Sequence, residues 1–109
     1  MNLPRFHTAE LKPGHPRSPK WPGVRMAHLR LEPACQACGS KLFLEVHHVK
    51  PYHLHPDLEL VQANLITLCE GPCNCHLTFG HLHLWAAFNP AVRKDVTAYF
   101  RKLKKRPVG

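Results

Sequence analysis

His47 and His48 are adjacent imidazoles at the end of the apolar-rich run Lys41-Leu42-Phe43-Leu44-Glu45-Val46. Neighbouring side chains on an extended strand point to opposite faces, so one histidine can hold a metal while the other takes a proton. Asn64 and His76 lie downstream, with the pairs Cys35/Cys38 and Cys69/Cys75 around them. An imidazole base beside a metal is the equipment of metal-assisted hydrolysis. Together these residues suggest a metal-dependent nuclease.

Cys35-x-x-Cys38 and Cys69-x5-Cys75 supply four thiols in two clusters some thirty residues apart. Four soft ligands suit tetrahedral zinc, with Zn–S distances of about 2.3 Å. Cys73 leaves a second choice, because Cys69-x3-Cys73 also fits such a site. The competing readings are buried free cysteines and a redox CxxC, and the flanks of this CxxC do not resemble a thioredoxin βαβ unit. With every position filled by protein sulfur, the zinc would be structural. It would tie the knuckle before one strand to the segment after the next, a large share of the folding free energy of a small domain.

The elements that must position these groups follow from punctuation and periodicity. Residues 1–20 hold Pro4, Pro13, Pro16 and Pro19 among polar and basic residues and read as a basic flexible arm. Trp21–Leu31 predicts a short helix after Pro22, with Val24, His28 and Leu31 on one side, ended by Pro33. Lys41–Val49 is the clearest strand, and Leu65-Ile66-Thr67-Leu68 can pair with it. Pro51 to Pro56 and the stretch to Ala63 form a loop between them. A short helix opens at Asn74 or Cys75 and ends near Gly80. Asn89-Pro90, a capping residue followed by proline, starts a last helix. Val92, Val96, Tyr99, Phe100 and Leu103 give it one apolar face, and the other is basic. The expected division is an arm over 1–20, a domain over 21–89, and an amphipathic helix over 90–109 packed on that domain.

Charge is unevenly placed. Residues 1–30 carry a net +5, residues 31–92 a net −3, and residues 93–109 a net +6, within a total of +8. A mildly acidic centre between two basic flanks suits a polyanion gripped at both sides; the bland reading is a solvated tail at each end. Five cysteines cannot all pair as disulfides. The N-terminus lacks the pattern of a signal peptide, and no stretch approaches the roughly 20 apolar residues of a membrane span. These features lead us to expect a cytoplasmic, reducing setting, bacterial or phage-like, with no membrane partner.

The run Glu45-Val46-His47-His48-Val49-Lys50-Pro51, then Asn64-Leu65-Ile66-Thr67-Leu68-Cys69, then Cys75-His76, resembles the HNH endonuclease family. The resemblance spans about Trp21 to Asn89 and is most specific over residues 35–81. It implies an α+β fold of the ββα-metal (HNH, His-Me finger) type: a hairpin, a loop and a helix clasping one divalent cation, here with a structural zinc and flanking helices. His48 aligns with the family's general base, His47 with the metal ligand before it, Asn64 with the central asparagine that braces loop and base or helps bind metal, and His76 with the helix-borne ligand. The catalytic set is thus His48, Asn64 and His76. In the common pattern the second cysteine pair is CxxC followed at once by His, whereas three extra residues intervene here. A subgroup of small members has this longer segment ending Asn-Cys-His, which favours Cys75 over Cys73. Some relatives carry a further histidine four residues on, where this chain has Gly80. His81, about 100° further around an ideal helix, would join the metal only if the helix has ended.

The implied reaction is hydrolysis of DNA phosphodiester bonds, leaving 5′-phosphate and 3′-hydroxyl ends. Two imidazoles without an evident carboxylate favour manganese, nickel, cobalt or zinc over magnesium. Arg25, Arg30, Lys50, Arg93, Lys94, Arg101, Lys102, Lys104 and Lys105 are the candidate phosphate contacts. They can position double-stranded DNA without reading sequence, with the protein acting as a monomer or a homodimer. His53, His55 and His83 read as loop or surface histidines, and His7, His15 and His28 carry no signal of their own. The alternative is a catalytically inactive, zinc-stabilised nucleic-acid-binding module.

Overall fold

The computed structural model describes residues 17–71 and 73–105. Most of the arm, with His7 and His15, lies outside them, as does the side chain of Lys105. Helix α1 spans Trp21–Leu31 with a proline in its first turn, where the missing N–H costs nothing. Its one buried residue is His28. Leu31, expected on the inner side, is 69% exposed; the chain turns there, and Glu32 points inward instead. Glu32 accepts a fork from Arg93 (2.8 and 3.2 Å), the Thr67 amide (3.2 Å) and lies 2.9 Å from His28 Nε2. Burial alone would raise the Glu32 carboxyl, but the Arg93 fork and the other donors outweigh it and hold its pKa below the ordinary value.

Strands β1 (Leu44–His48) and β2 (Leu65–Cys69) form an antiparallel two-stranded sheet, with His47 opposite Ile66 and His48 opposite Leu65. β1 is shorter than the expected Lys41–Val49 because Phe43 sits at φ 56°, outside the extended region. β2 is buried along its whole length. The long connection between the strands contains two 3₁₀ turns, Pro56–Leu58 and Gln62–Asn64. After β2 the chain makes a π-helical turn over His76–Gly80, then reaches helix α2 at Val92–Lys105. Asn89 caps α2: its Oδ1 accepts the Ala91 amide at 3.0 Å, while its Nδ2 donates to the Phe79 carbonyl at 3.0 Å. The cap therefore also fastens α2 to the π-helical turn.

Val92 and Val96 enter the core beside Ala37, Ile66, Leu68 and three of the cysteines. Tyr99, expected on the same face, is half-exposed and packs on Phe79 instead. Among the described residues no helix is long and apolar enough to cross a membrane.

Arg93 and Lys94 look equivalent as charges, yet only Arg93 crosses to Glu32 and donates to the Leu65 carbonyl at 2.8 Å. Arg93→Ala should lower unfolding free energy by about 1–3 kcal/mol, and Lys94→Ala should leave it near wild type. Urea unfolding followed by circular dichroism measures both, and equal effects would contradict the clasp.

Candidate metal centre and active-site cleft

Cys35, Cys38, Cys69 and Cys75 gather so that their sulfurs all lie within 4.8 Å of one another. Cys73 is exposed and outside the cluster. A tetrahedron with Zn–S bonds of about 2.3 Å has S···S edges of roughly 3.8 Å. The Cys38 and Cys69 sulfurs are 3.7 Å apart, far beyond disulfide length. Burial, with the nearby Cys35 sulfur, pushes the Cys38 thiol up to about 12 and raises Cys75 as well. Burial would also raise Cys35, but amides of Cys38, Ala37 and Cys69 directed at its sulfur outweigh it and lower that thiol. The donor set fits zinc, whose charge would replace the protons these crowded thiols otherwise keep.

The second cluster is His47, His76 and His81, whose ligating nitrogens also lie within 4.8 Å of one another. His76 Nδ1 donates to Glu70 Oε2 at 2.7 Å, so its Nε2 carries the lone pair and accepts from His47 Nδ1 at 3.0 Å. His81 Nδ1 donates to the Ala87 carbonyl at 2.7 Å, leaving Nε2 as its lone-pair nitrogen. His47 Nε2 is buried with no hydrogen-bond partner among the described residues. Burial, together with the imidazoles of His76 and His81, pushes His47 down to about 2, so it stays neutral and able to ligate. Three convergent imidazoles, each with a ring nitrogen within 4.8 Å of the others, fit one divalent cation.

His81 joins through the shape of its turn. In an α-helix five residues overshoot one turn, but the wider π-helix bonds i to i+5, which brings His76 and His81 round to one side. Gly80 supplies the room: a Cβ there would sit 3.0 Å from His47 Cε1 and 3.1 Å from Nε2. A larger residue at that position would meet the His47 ring, and the ligand steps one residue on. Glu70 went unread in the sequence. As an exposed acid after a cysteine it carried no motif, yet it holds His76 as a carboxylate holds a metal-bound imidazole.

His48 leaves the other face of β1. Its ring stacks on Trp21, centroids 4.6 Å apart, and Nε2 donates to the Glu59 carbonyl at 3.0 Å. A carbonyl only accepts, so the proton is on Nε2 and Nδ1 carries the free lone pair. Burial lowers the His48 pKa, opposed in part by the Glu59 carbonyl. Asn64 touches neither cluster. Its Oδ1 accepts the Lys50 amide at 2.9 Å and its Nδ2 donates to the Lys50 carbonyl at 3.1 Å, closing the long loop directly behind the histidines. His47, His48, His76 and His81 line one cleft of about 280 Å³, with Arg17, Tyr52 and Trp85 also in its wall.

Of the expected phosphate contacts, Arg30, Lys50, Lys94, Arg101, Lys102 and Lys104 are exposed. Arg25 lies 3.8 Å from Glu45. Arg93 is exposed as well, and its guanidinium also reaches Glu32 and the Leu65 carbonyl.

A two-stranded hairpin, a braced loop and a helical turn converging on one histidine cluster define a small ββα-metal domain. Residues 35–81 match the family model described as HNH endonuclease. Comparison with curated proteins and with solved structures gave no significant match.

Cys75→Ser should abolish stoichiometric zinc and cooperative unfolding, whereas Cys73→Ser should change neither. Metal analysis of the purified variants decides it, and zinc loss from Cys73→Ser would reassign the fourth ligand. Glu70→Ala should weaken manganese or nickel binding to the histidine site by roughly 10- to 100-fold, read by calorimetric titration of the zinc-loaded protein. Unchanged affinity would remove Glu70 from the site.

Proposed function

We propose that the protein is a metal-dependent endonuclease that hydrolyses DNA phosphodiester bonds with low sequence preference. The observation that carries this reading is the division of labour on β1. His48 is held with its lone pair on Nδ1 by the Glu59 carbonyl, and the adjacent His47 faces His76 and His81. Binding alone has no need of an oriented base beside a metal site.

His48 Nδ1 takes a proton from water as the water oxygen bonds to phosphorus. The bond from phosphorus to the 3′-oxygen breaks, giving a 5′-phosphate and, after protonation by solvent, a 3′-hydroxyl. His47, His76 and His81 would hold a divalent cation, which would supply charge neutralisation at the phosphate and Lewis-acid stabilisation of the leaving oxygen. Three imidazoles favour manganese, nickel, cobalt or zinc over magnesium in affinity. His47, buried and neutral, needs no deprotonation before a cation enters. The exposed basic groups of α2, with Lys50, position the duplex through its phosphates, and binding weakens as salt rises.

A plasmid-nicking assay across these metals, with and without EDTA, tests the reading. Wild type should nick in at least one metal and stop with chelator. His48→Ala should lose roughly 10²–10⁴-fold in rate while retaining zinc and the wild-type unfolding midpoint. Duplex binding without cleavage in every metal would instead leave a zinc-stabilised nucleic-acid-binding module.

A further inference from the structure

Arg17 stands in the wall of the histidine cleft, at the edge of a segment expected to be a loose arm. Its guanidinium carbon lies 5.0 Å from the Trp21 ring centroid and 5.2 Å from that of Tyr52. Nη1 is 4.0 Å from Glu59 Oε2, at the outer limit of an ion pair. Glu59 is itself anchored, being buried and accepting the Ser18 amide on both oxygens at 3.1 and 3.3 Å. The same residue's carbonyl holds His48, and Trp21 stacks on the His48 ring. One residue and one indole therefore orient both the histidine and the arginine.

A single long ion pair on a half-exposed arginine contributes little to stability. Two aromatic faces hold the planar cation in one orientation without consuming its N–H donors. Arginine has five donors, and the contact with Glu59 engages one nitrogen. A fixed, half-exposed fork beside a proton acceptor is how a phosphate is received with two parallel hydrogen bonds.

Building on the nuclease reading, we infer that Arg17 is a phosphate-binding catalytic residue. It contacts non-bridging oxygens of the phosphodiester beside His48 and stabilises the charge that grows on them during attack. The family's metal ligands and base leave this position unassigned, and the lysines and arginines of α2 do not line the cleft.

The test compares wild type, Arg17→Gln and Arg17→Lys as zinc-loaded full-length protein. Glutamine keeps a polar stem between the rings and loses the charge; lysine keeps the charge and loses the fork. Binding to a short DNA duplex is measured against salt without added divalent cation, single-turnover cleavage with manganese, and manganese affinity by titration. Arg17→Gln should lower the cleavage rate roughly 10- to 100-fold and flatten the log–log salt slope by about one, with manganese affinity unchanged. Arg17→Lys should keep the slope and recover only part of the rate. A wild-type rate and slope in Arg17→Gln would overturn the inference. So would a rate loss accompanied by weakened manganese binding or a lowered unfolding midpoint, which would make Arg17 a structural clasp. If wild type cleaves nothing, the nuclease reading fails separately, while a flattened slope in Arg17→Gln would still support the phosphate contact.

Discussion

The four-cysteine cluster is the constraint on which the rest of the structure depends. Three of its members, Cys35, Cys69 and Cys75, are core residues in their own right, packed with Ile66, Leu68, Val92 and Val96. A domain of this size buries little apolar surface and needs a staple. The cluster also sets the geometry of the histidine site through chain continuity. Cys69 ends β2 immediately before Glu70, and Cys75 immediately precedes His76. Fixing those two sulfurs therefore fixes the carboxylate and the imidazole that meet at 2.7 Å. Loss of the cluster would therefore loosen Glu70 and His76 along with the core.

The second constraint is the phase of β1. A strand alternates faces with a period of two, so His47 and His48 must diverge. His47 meets the π-helical turn and Gly80, and His48 meets Trp21 and the Glu59 carbonyl. A slip of one residue against β2 would exchange the two roles. Two devices oppose that slip. Asn64 pairs with both backbone groups of Lys50, and the Val49 amide donates to the Asn64 carbonyl at 2.7 Å. At the other end the Glu70 amide donates to the Phe43 carbonyl at 2.7 Å. Both ends of the hairpin are thus pinned in register.

What could be read from the chain was what is local. Alternation, the Asn-Pro cap and the CxxC located the two strands, the last helix and the first half of the thiol cluster, because each depends on neighbours within a few residues. The signals that failed depend on tertiary placement. His81 could join only past the end of the helix, and the turn does end at Gly80 with His81 as its C-cap, a stopping point the local pattern does not fix. Arg93 reads like any other cation of α2 until the fold puts Glu32 opposite it. Glu70 and Arg17 have no motif at all; their partners lie six residues away around a turn and some forty residues away on the hairpin loop.

The electrostatics of the cleft follow from this division between buried and exposed. Burial keeps His47 neutral and lowers His48, so neither imidazole carries the charge that would repel a cation. The carboxylates near them are each engaged: Glu70 by His76, Glu59 by Ser18 and Arg17, Glu45 by Arg25. The mild negative charge of the middle segment is therefore spent on holding ligands and arginines in place, leaving little of it to repel a phosphate. Positive charge is concentrated on α2, where Lys94, Arg101, Lys102 and Lys104 are exposed. In the nuclease reading proposed above, that basic surface would attract DNA over a distance and leave its alignment to the cleft, so affinity and catalysis could be altered separately.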